Sequence, residues 1–234
     1  MKLEICANSY QSALNAEQAD THRIELCSEL NSGGITPSYG LIQKVISELS
    51  IETFVLIRPR SGNFVYSEAE FDIMKQDIIK CKSLGVNGIV SGVLMTNNTI
   101  DIERTKELIS LAYPLPFTFH RAFDLVTNPI EGIQQLIDLK VNRVLTSGQK
   151  NKALEGMMLL KDLKEKFNNQ IIILPGSGIN SKNVGDFKKA GFTEVHASAS
   201  ITIQESTALN FDEIPQTVSD SEEIKRILNV IQDS

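Results

Sequence analysis

The sequence has no apolar segment close to the roughly 18 residues that a membrane-spanning helix needs. Glu4 interrupts the N-terminal stretch, where a secretory signal peptide would need a longer apolar core. Basic residues are the minority, with 23 Lys and Arg against 29 Asp and Glu, for a formal net charge of -6. This balance lacks the basic field that attracts nucleic acids or anionic membranes. We therefore expect a cytoplasmic protein with neither nucleic acid nor membrane among its partners.

Cysteine is also scarce, with three residues, Cys6, Cys27 and Cys81. Three thiols cannot all pair with each other, and they are too few for a disulfide scaffold. We therefore expect free thiols or a metal site. Linkers and low-complexity blocks are absent as well, which favours one domain over residues 1–234. Within it, residues 201–234 are predicted to form a C-terminal tail, polar over 206–221, and a last helix around Glu222–Ile231.

Eight short β-rich runs recur along the chain. They are Leu3–Cys6, Arg23–Cys27, Thr53–Ile57, Gly88–Val90, Phe117–His120, Arg143–Thr146, Ile171–Leu174 and Glu194–His196. Several are almost continuously apolar, which is typical of a parallel sheet covered on both faces.

Segments with helical spacing separate these runs. Ser67–Glu70 resembles a capping box and Asn128-Pro129 places proline just inside a helix start, while Gly85 and Gly191 follow predicted helix ends. Eight strand–helix units predict an α/β fold, the closed (β/α)8 or TIM barrel, with an open doubly wound sheet as the alternative.

Polar residues cluster at the carboxyl ends of the predicted strands, where TIM barrels place their functional groups, and no comparable collection marks the amino ends. The pattern Glu-x-Cys ends the first two strands, at Cys6 and at Cys27. Neighbouring strands lie about 4.8 Å apart, and alternation places each Glu and Cys on one face, so the two thiols can approach each other.

Two thiolates favour Cu(I), or zinc if further ligands are present. His120 and His196 could supply such ligands, although we expect them on strands across the barrel. The alternative is that Cys6 and Cys27 are small buried apolar residues. We expect Cys81 to pack within a helix.

Arg58 and Arg60 flank a proline after the third strand, and two guanidinium groups there suit recognition of a carboxylate or phosphate. The alternative is that they pair with Glu4 or Glu25 inside the barrel mouth. Both interpretations remain open.

His120, Arg121 and Asp124 follow the fifth strand, and Arg121 and Asp124 are candidates for binding the anion. A histidine at a strand end can act as a general acid or base, and Glu25 and His196 are further candidates for proton transfer. The alternative for His120 is a structural residue that is hydrogen-bonded to a neighbouring strand.

Small residues follow the last three strands and could bring backbone N–H groups close to an anion. They are Ser147 and Gly148 after the sixth strand, Gly176 and Gly178 after the seventh, and Ser198 after the eighth. Tight turns alone would also explain the glycines.

Six of these stretches, in this order, resemble the CutC family of copper homeostasis proteins. They are Arg23–Cys27, Gly33–Ser38, Ile57–Arg60, Thr118–Asp124, Leu145–Gln149 and Pro175–Ile179. The resemblance covers residues 1–200 and implies a TIM barrel, cytoplasmic copper handling and assembly into dimers or tetramers. It also implies two copper-binding cysteines at the ends of the first two strands, which are here Cys6 and Cys27.

Two functions therefore compete. The first is a copper homeostasis protein that binds Cu(I) through Cys6 and Cys27. The second is an enzyme of unknown reaction on a small phosphorylated or carboxylated ligand, in which arginines and small residues hold the anion and Glu25, His120 and His196 handle protons. A scaffold that binds another protein is a third, less economical interpretation.

Overall fold

Eight parallel strands form a ring in the computed structural model, which describes residues 1–167, 169–203 and 216–232. The strands are β1 (Lys2–Ala7), β2 (Arg23–Leu26), β3 (Glu52–Leu56), β4 (Gly88–Ser91), β5 (Phe117–Phe119), β6 (Arg143–Thr146), β7 (Ile172–Pro175) and β8 (Glu194–Ala197). Sequence neighbours pair from β1 to β7, β8 pairs with β1, and a parallel bridge between Gly176 and His196 joins β7 to β8. The predicted single-domain TIM-type barrel is confirmed.

One α-helix follows each barrel strand. The helices are α1 (Tyr10–Gln18), α2 (Tyr39–Glu48), α3 (Glu68–Leu84), α4 (Ile102–Ala112), α5 (Pro129–Asp138), α6 (Met157–Lys166), α7 (Val184–Lys189) and α8 (Ser221–Gln232). Ser67 and Glu70 form the predicted capping box of α3, Asn128 caps α5, and Gly85 ends α3 in the left-handed conformation. Within the described ranges, no helix is long and apolar enough to cross a membrane.

The C-terminal region adds a feature that the sequence analysis missed. Helix α8 confirms the predicted last helix, but β9 (Ser200–Ile203) and β10 (Gln216–Ser219) pair as an antiparallel hairpin. Asn8 donates to Thr217 Oγ1 at 2.9 Å, which attaches β10 to the start of α1. Each strand has only four residues and β9 is exposed along its length, so the alternation of Ile201 and Ile203 with polar residues was too short to predict a strand. Most of the predicted polar tail, at 206–215, lies outside the described residues.

The amino-terminal half of the barrel interior holds a network of buried charges. Arg23 donates from Nε to Glu4 and from a terminal nitrogen to Glu194, both at 2.6 Å, and Arg143 donates to Glu194 at 3.2 Å. The Phe54 ring lies beside both guanidinium groups, with centroid distances of 4.7 and 5.1 Å. The prediction that polar groups collect only at the carboxyl ends was therefore wrong, because charged residues that begin three strands point into the barrel.

Removing Arg23 should destabilise the protein strongly, because two buried carboxylates would lose a charged partner. We expect Arg23→Met to lower the free energy of unfolding by about 3–5 kcal/mol in urea titrations. The matched control is Arg226→Met on α8, where an arginine with a 56% exposed side chain pairs with Glu223. That change should cost about 0–1 kcal/mol. Equal losses in the two variants would contradict a structural role for the network.

Glu4 should contribute to the loss of stability in acid. Burial alone would raise its pKa, but the His196 imidazole and the Arg23 guanidinium outweigh burial and lower the pKa to about 2. A depressed pKa gives stability that is present above the ordinary value of 4.5 and is lost as the pH falls toward 2. Urea titrations across this range should show a shallower decline for Glu4→Gln than for wild type, and parallel declines would contradict the assignment.

Candidate functional site

A cavity of about 440 Å³ opens at the carboxyl ends of the barrel strands. The predicted site residues on its wall are Cys6, Glu25, Arg58, His120, Arg121, Asp124, Gly178, His196 and Ser198. Apolar side chains that the sequence analysis did not select, among them Leu56, Phe64 and Leu145, complete the wall. A second cavity, of about 640 Å³, has no cysteine, histidine or carboxylate in its described lining. A third, of about 390 Å³, is lined by Asp220, Glu223 and Arg226 but by no cysteine or histidine.

The two predicted metal-binding cysteines lie side by side. Cys6 lies near the end of β1 and Cys27 directly follows β2, where its N–H donates to the Ala7 carbonyl. Their sulfur atoms are 3.6 Å apart. Cys6 reaches the cavity wall, whereas Cys27 is fully buried. The hydrogen bond to Cys27 and burial raise the pKa of the Cys6 thiol well above its ordinary value.

Arg58 holds the loops that cover Cys27. Its terminal nitrogens donate to the backbone carbonyls of Ser32 at 3.0 Å, Gly34 at 2.6 Å and Gly62 at 2.8 Å. Gly34 has a φ of +81°, and a Cβ there would lie 2.8 Å from the Leu56 side chain, so the covering loop requires glycine. The expected alternative, an ion pair of Arg58 with Glu4 or Glu25, was wrong, because loop carbonyls use the guanidinium.

Arg60, unlike Arg58, turns away from the cavity. Its Nε donates to Glu70, the acidic residue of the α3 capping box, and another nitrogen donates to the Val65 carbonyl. It therefore stabilises the start of α3 and is not on the cavity wall.

His196 lies beside the cysteines, so the expectation that it sits across the barrel was wrong. Closure of the ring makes β8 the neighbour of β1 and pairs Glu4 with His196. The His196 Nδ1 is 2.7 Å from Glu4 Oε1, and because the Glu4 carboxylate is ionised, Nδ1 donates. Burial opposes a charge on the imidazole, but interactions with Cys6, Glu4 and Glu25 outweigh it and raise the His196 pKa well above its ordinary value.

Glu25 is buried, and its Oε2 accepts no hydrogen bond from any described residue. Burial raises its pKa to about 7. Cys6 Sγ, a Glu25 carboxylate oxygen and a His196 ring nitrogen all lie within 4.8 Å of one another. These three groups, like the pair of cysteines, could hold a metal ion.

His120 occupies a different part of the wall and has a different charge state. Its Nδ1 accepts a hydrogen bond from the Ala122 N–H at 3.3 Å, so the neutral ring carries its proton on Nε2. Burial and the nearby Arg58 lower its pKa to about 3. The buried Nε2 has no partner among the described residues.

Asp124 fastens the loop after β6 to the loop after β5. It accepts hydrogen bonds from Thr146 Oγ1 at 2.5 Å, from the Ser147 backbone at 2.9 Å and from Arg121 Nε at 2.8 Å. Ser147 and Gly148 therefore lie behind the wall. The Arg121 side chain is 43% exposed, against 37% for Arg60, and one of its terminal nitrogens donates to Ser147 Oγ at 3.1 Å.

The turn after β7, which was expected to bind an anion, already contacts a carboxylate of this chain. The Ser181 N–H donates to Glu223 Oε1 at 2.8 Å and its hydroxyl donates to Oε2 at 3.1 Å. Gly176 packs between Leu145 and His196 instead of facing the cavity. Sequence spacing gave no signal for this contact, because Glu223 comes from α8.

Comparison with known proteins identifies the family of this chain. Residues 1–201 match the model of the CutC family. A human relative named copper homeostasis protein cutC homolog is 45% identical over 201 residues, which are 86% of this chain and 74% of that protein. A family protein CutC from Photorhabdus laumondii is 43% identical over 199 residues, which are 85% of this chain and 80% of that protein.

A solved structure extends the likeness to three dimensions. The CutC protein of Streptococcus agalactiae superposes with a TM-score of 0.80 at 35% sequence identity, covering 85% of this chain and 98% of that one. The resemblance found in the six sequence motifs is therefore confirmed. This chain belongs to the CutC family.

Proposed function

We propose that this protein serves in copper homeostasis by binding Cu(I) through Cys6 and Cys27. One observation carries the proposal, the 3.6 Å separation of the two sulfur atoms. A metal–thiolate bond is about 2.3 Å long, so one ion can contact both sulfurs after a small adjustment. Thiolates are soft ligands, and soft ligands favour Cu(I).

A metal ion must displace the proton of Cys6, because the hydrogen bond to Cys27 and burial raise the pKa of this thiol. The neighbouring His196 imidazole acts in the opposite direction and favours the thiolate. Because Cys6 lies on the cavity wall and Cys27 lies beneath it, an ion can enter from the barrel mouth. Assembly into a dimer or tetramer and a cytoplasmic location remain predictions from the family resemblance.

Replacing the two cysteines should abolish Cu(I) binding. Reduced wild-type protein should bind about one Cu(I) per chain in competition titrations with a chromophoric Cu(I) chelator. Cys6→Ser with Cys27→Ser should bind none, because hydroxyl groups are poor ligands for a soft ion. Cys81→Ser is the matched control, since that buried cysteine lies on α3 away from the site. Unchanged stoichiometry in the double variant would overturn the proposal.

The competing function, an enzyme acting on a small phosphorylated or carboxylated ligand, has one observation in its favour. The His120 Nε2 is a buried donor without a described partner, on the same wall as Glu25, whose pKa of about 7 suits proton transfer. The anion contact would fall to Arg121, because its side chain is 43% exposed, whereas Arg58 is buried and the turn after β7 contacts Glu223.

A thermal-shift panel of small phosphates and carboxylates tests this second function. A true ligand should raise the melting temperature, since a hundredfold excess over Kd adds about 2.7 kcal/mol of stability. Arg121→Ala should lose the rise, whereas Arg60→Ala, off the wall, should keep it. A full rise in Arg121→Ala, or no rise with any compound, would count against an anion-binding enzyme.

A further inference from the structure

We propose that Cys6, Glu25 and His196, here called the Cys-Glu-His cluster, form a second metal site, one for a divalent cation of the zinc class. The site shares Cys6 with the proposed Cu(I) site but excludes Cys27. Its three donor atoms lie within 4.8 Å of one another. A tetrahedral zinc ion with bonds of about 2.0–2.3 Å draws its ligands roughly 3.5 Å apart, so binding needs a movement of about 1 Å.

The donor set distinguishes this site from the pair of cysteines. One sulfur, one imidazole nitrogen and one carboxylate oxygen suit a borderline ion such as Zn²⁺, whereas a carboxylate is a poor ligand for soft Cu(I). Zinc sites that do chemistry commonly use three protein ligands of this kind and leave the fourth position to water or substrate. The Cys-Glu-His cluster therefore matches an open site better than a closed structural one.

Glu25 supplies an independent indication of a ligand. Its side chain is buried, and its Oε2 has no hydrogen-bond partner among the described residues. A buried polar atom without a partner costs free energy, and native proteins retain few of them. A cation bound between Glu25 and Cys6 would satisfy this oxygen.

His196 is held as metal-binding histidines usually are. Its Nδ1 donates to Glu4 at 2.7 Å, and Glu4 accepts a further bond from Arg23 at 2.6 Å. A carboxylate on one ring nitrogen fixes the orientation of the ring. The buried charge network therefore fixes the orientation of His196 from the amino-terminal half of the barrel interior. The raised pKa of His196 means that the other ring nitrogen also carries a proton, which the metal ion must displace before it binds there.

The cavity leaves space beside the Cys-Glu-His cluster for a fourth ligand of the metal ion. All three members line the 440 Å³ cavity at the barrel mouth, whereas Cys27 is fully buried and absent from the wall. A bound ion would therefore face space for water or a small ligand on one side and protein on the other.

Two variants separate this site from the Cu(I) site. Zn²⁺ affinity is measured by competition with a chromophoric chelator, and Cu(I) affinity is measured in parallel on the same folded preparations, checked by circular dichroism. Cys27→Ser should keep Zn²⁺ binding and lose Cu(I) binding. Glu25→Gln should weaken Zn²⁺ binding by about tenfold or more, the scale seen when metal-site residues are changed, and should keep Cu(I) binding.

A measurement on the wild-type protein tests the proposed zinc site without relying on any variant. X-ray absorption of the Zn²⁺-loaded chain should show one sulfur ligand together with nitrogen and oxygen ligands. Two sulfur ligands, loss of Zn²⁺ binding in Cys27→Ser, full binding in folded Glu25→Gln, or no Zn²⁺ binding by wild type would each overturn the inference. Failure of the Cu(I) proposal would instead appear only in the Cu(I) titrations, so the two failures are distinguishable.

Discussion

The carboxylate of Glu4 is the contact on which the rest of the site depends. It binds the Arg23 guanidinium from β2 and the His196 imidazole from β8, so it joins the two strands that flank β1. The cations keep Glu4 ionised in spite of its burial. In return, Glu4 fixes the orientation of His196 directly beneath the barrel mouth.

The barrel interior is thereby divided into two levels with different chemistry. In the amino-terminal half, arginines and carboxylates pair with each other around Phe54, and one terminal nitrogen each of Arg23 and Arg143 has no partner among the described residues. At the mouth, Glu25 Oε2 and His120 Nε2 likewise have no described partner, and they lie on the cavity wall. The buried charge pairs and the candidate ligand-binding groups therefore occupy successive layers of the same strands, and TIM barrels usually place their functional groups in the carboxyl-terminal layer.

Much of the fold could be predicted from sequence, because its signals are local. Apolar runs, caps and glycine stops located the eight strands and most helices, and the capping box of Ser67 and Glu70 formed as expected. The hairpin of β9 and β10 escaped prediction because its strands are short and exposed. For the candidate site, strand ends located most of the residues that line the cavity, but the contacts of Arg58, Arg60 and Ser181 depended on partners that spacing does not reveal.

The sequence by itself determined that a Glu-x-Cys pattern ends two adjacent parallel strands, and this local register is enough to bring Cys6 and Cys27 together. Only the tertiary structure decided that His196 joins them, 192 residues along the chain from Glu4. The physical reason is closure of the ring. Register between consecutive strands follows from local alternation, but the contact between the first and last strands exists only when all eight have curved into a barrel.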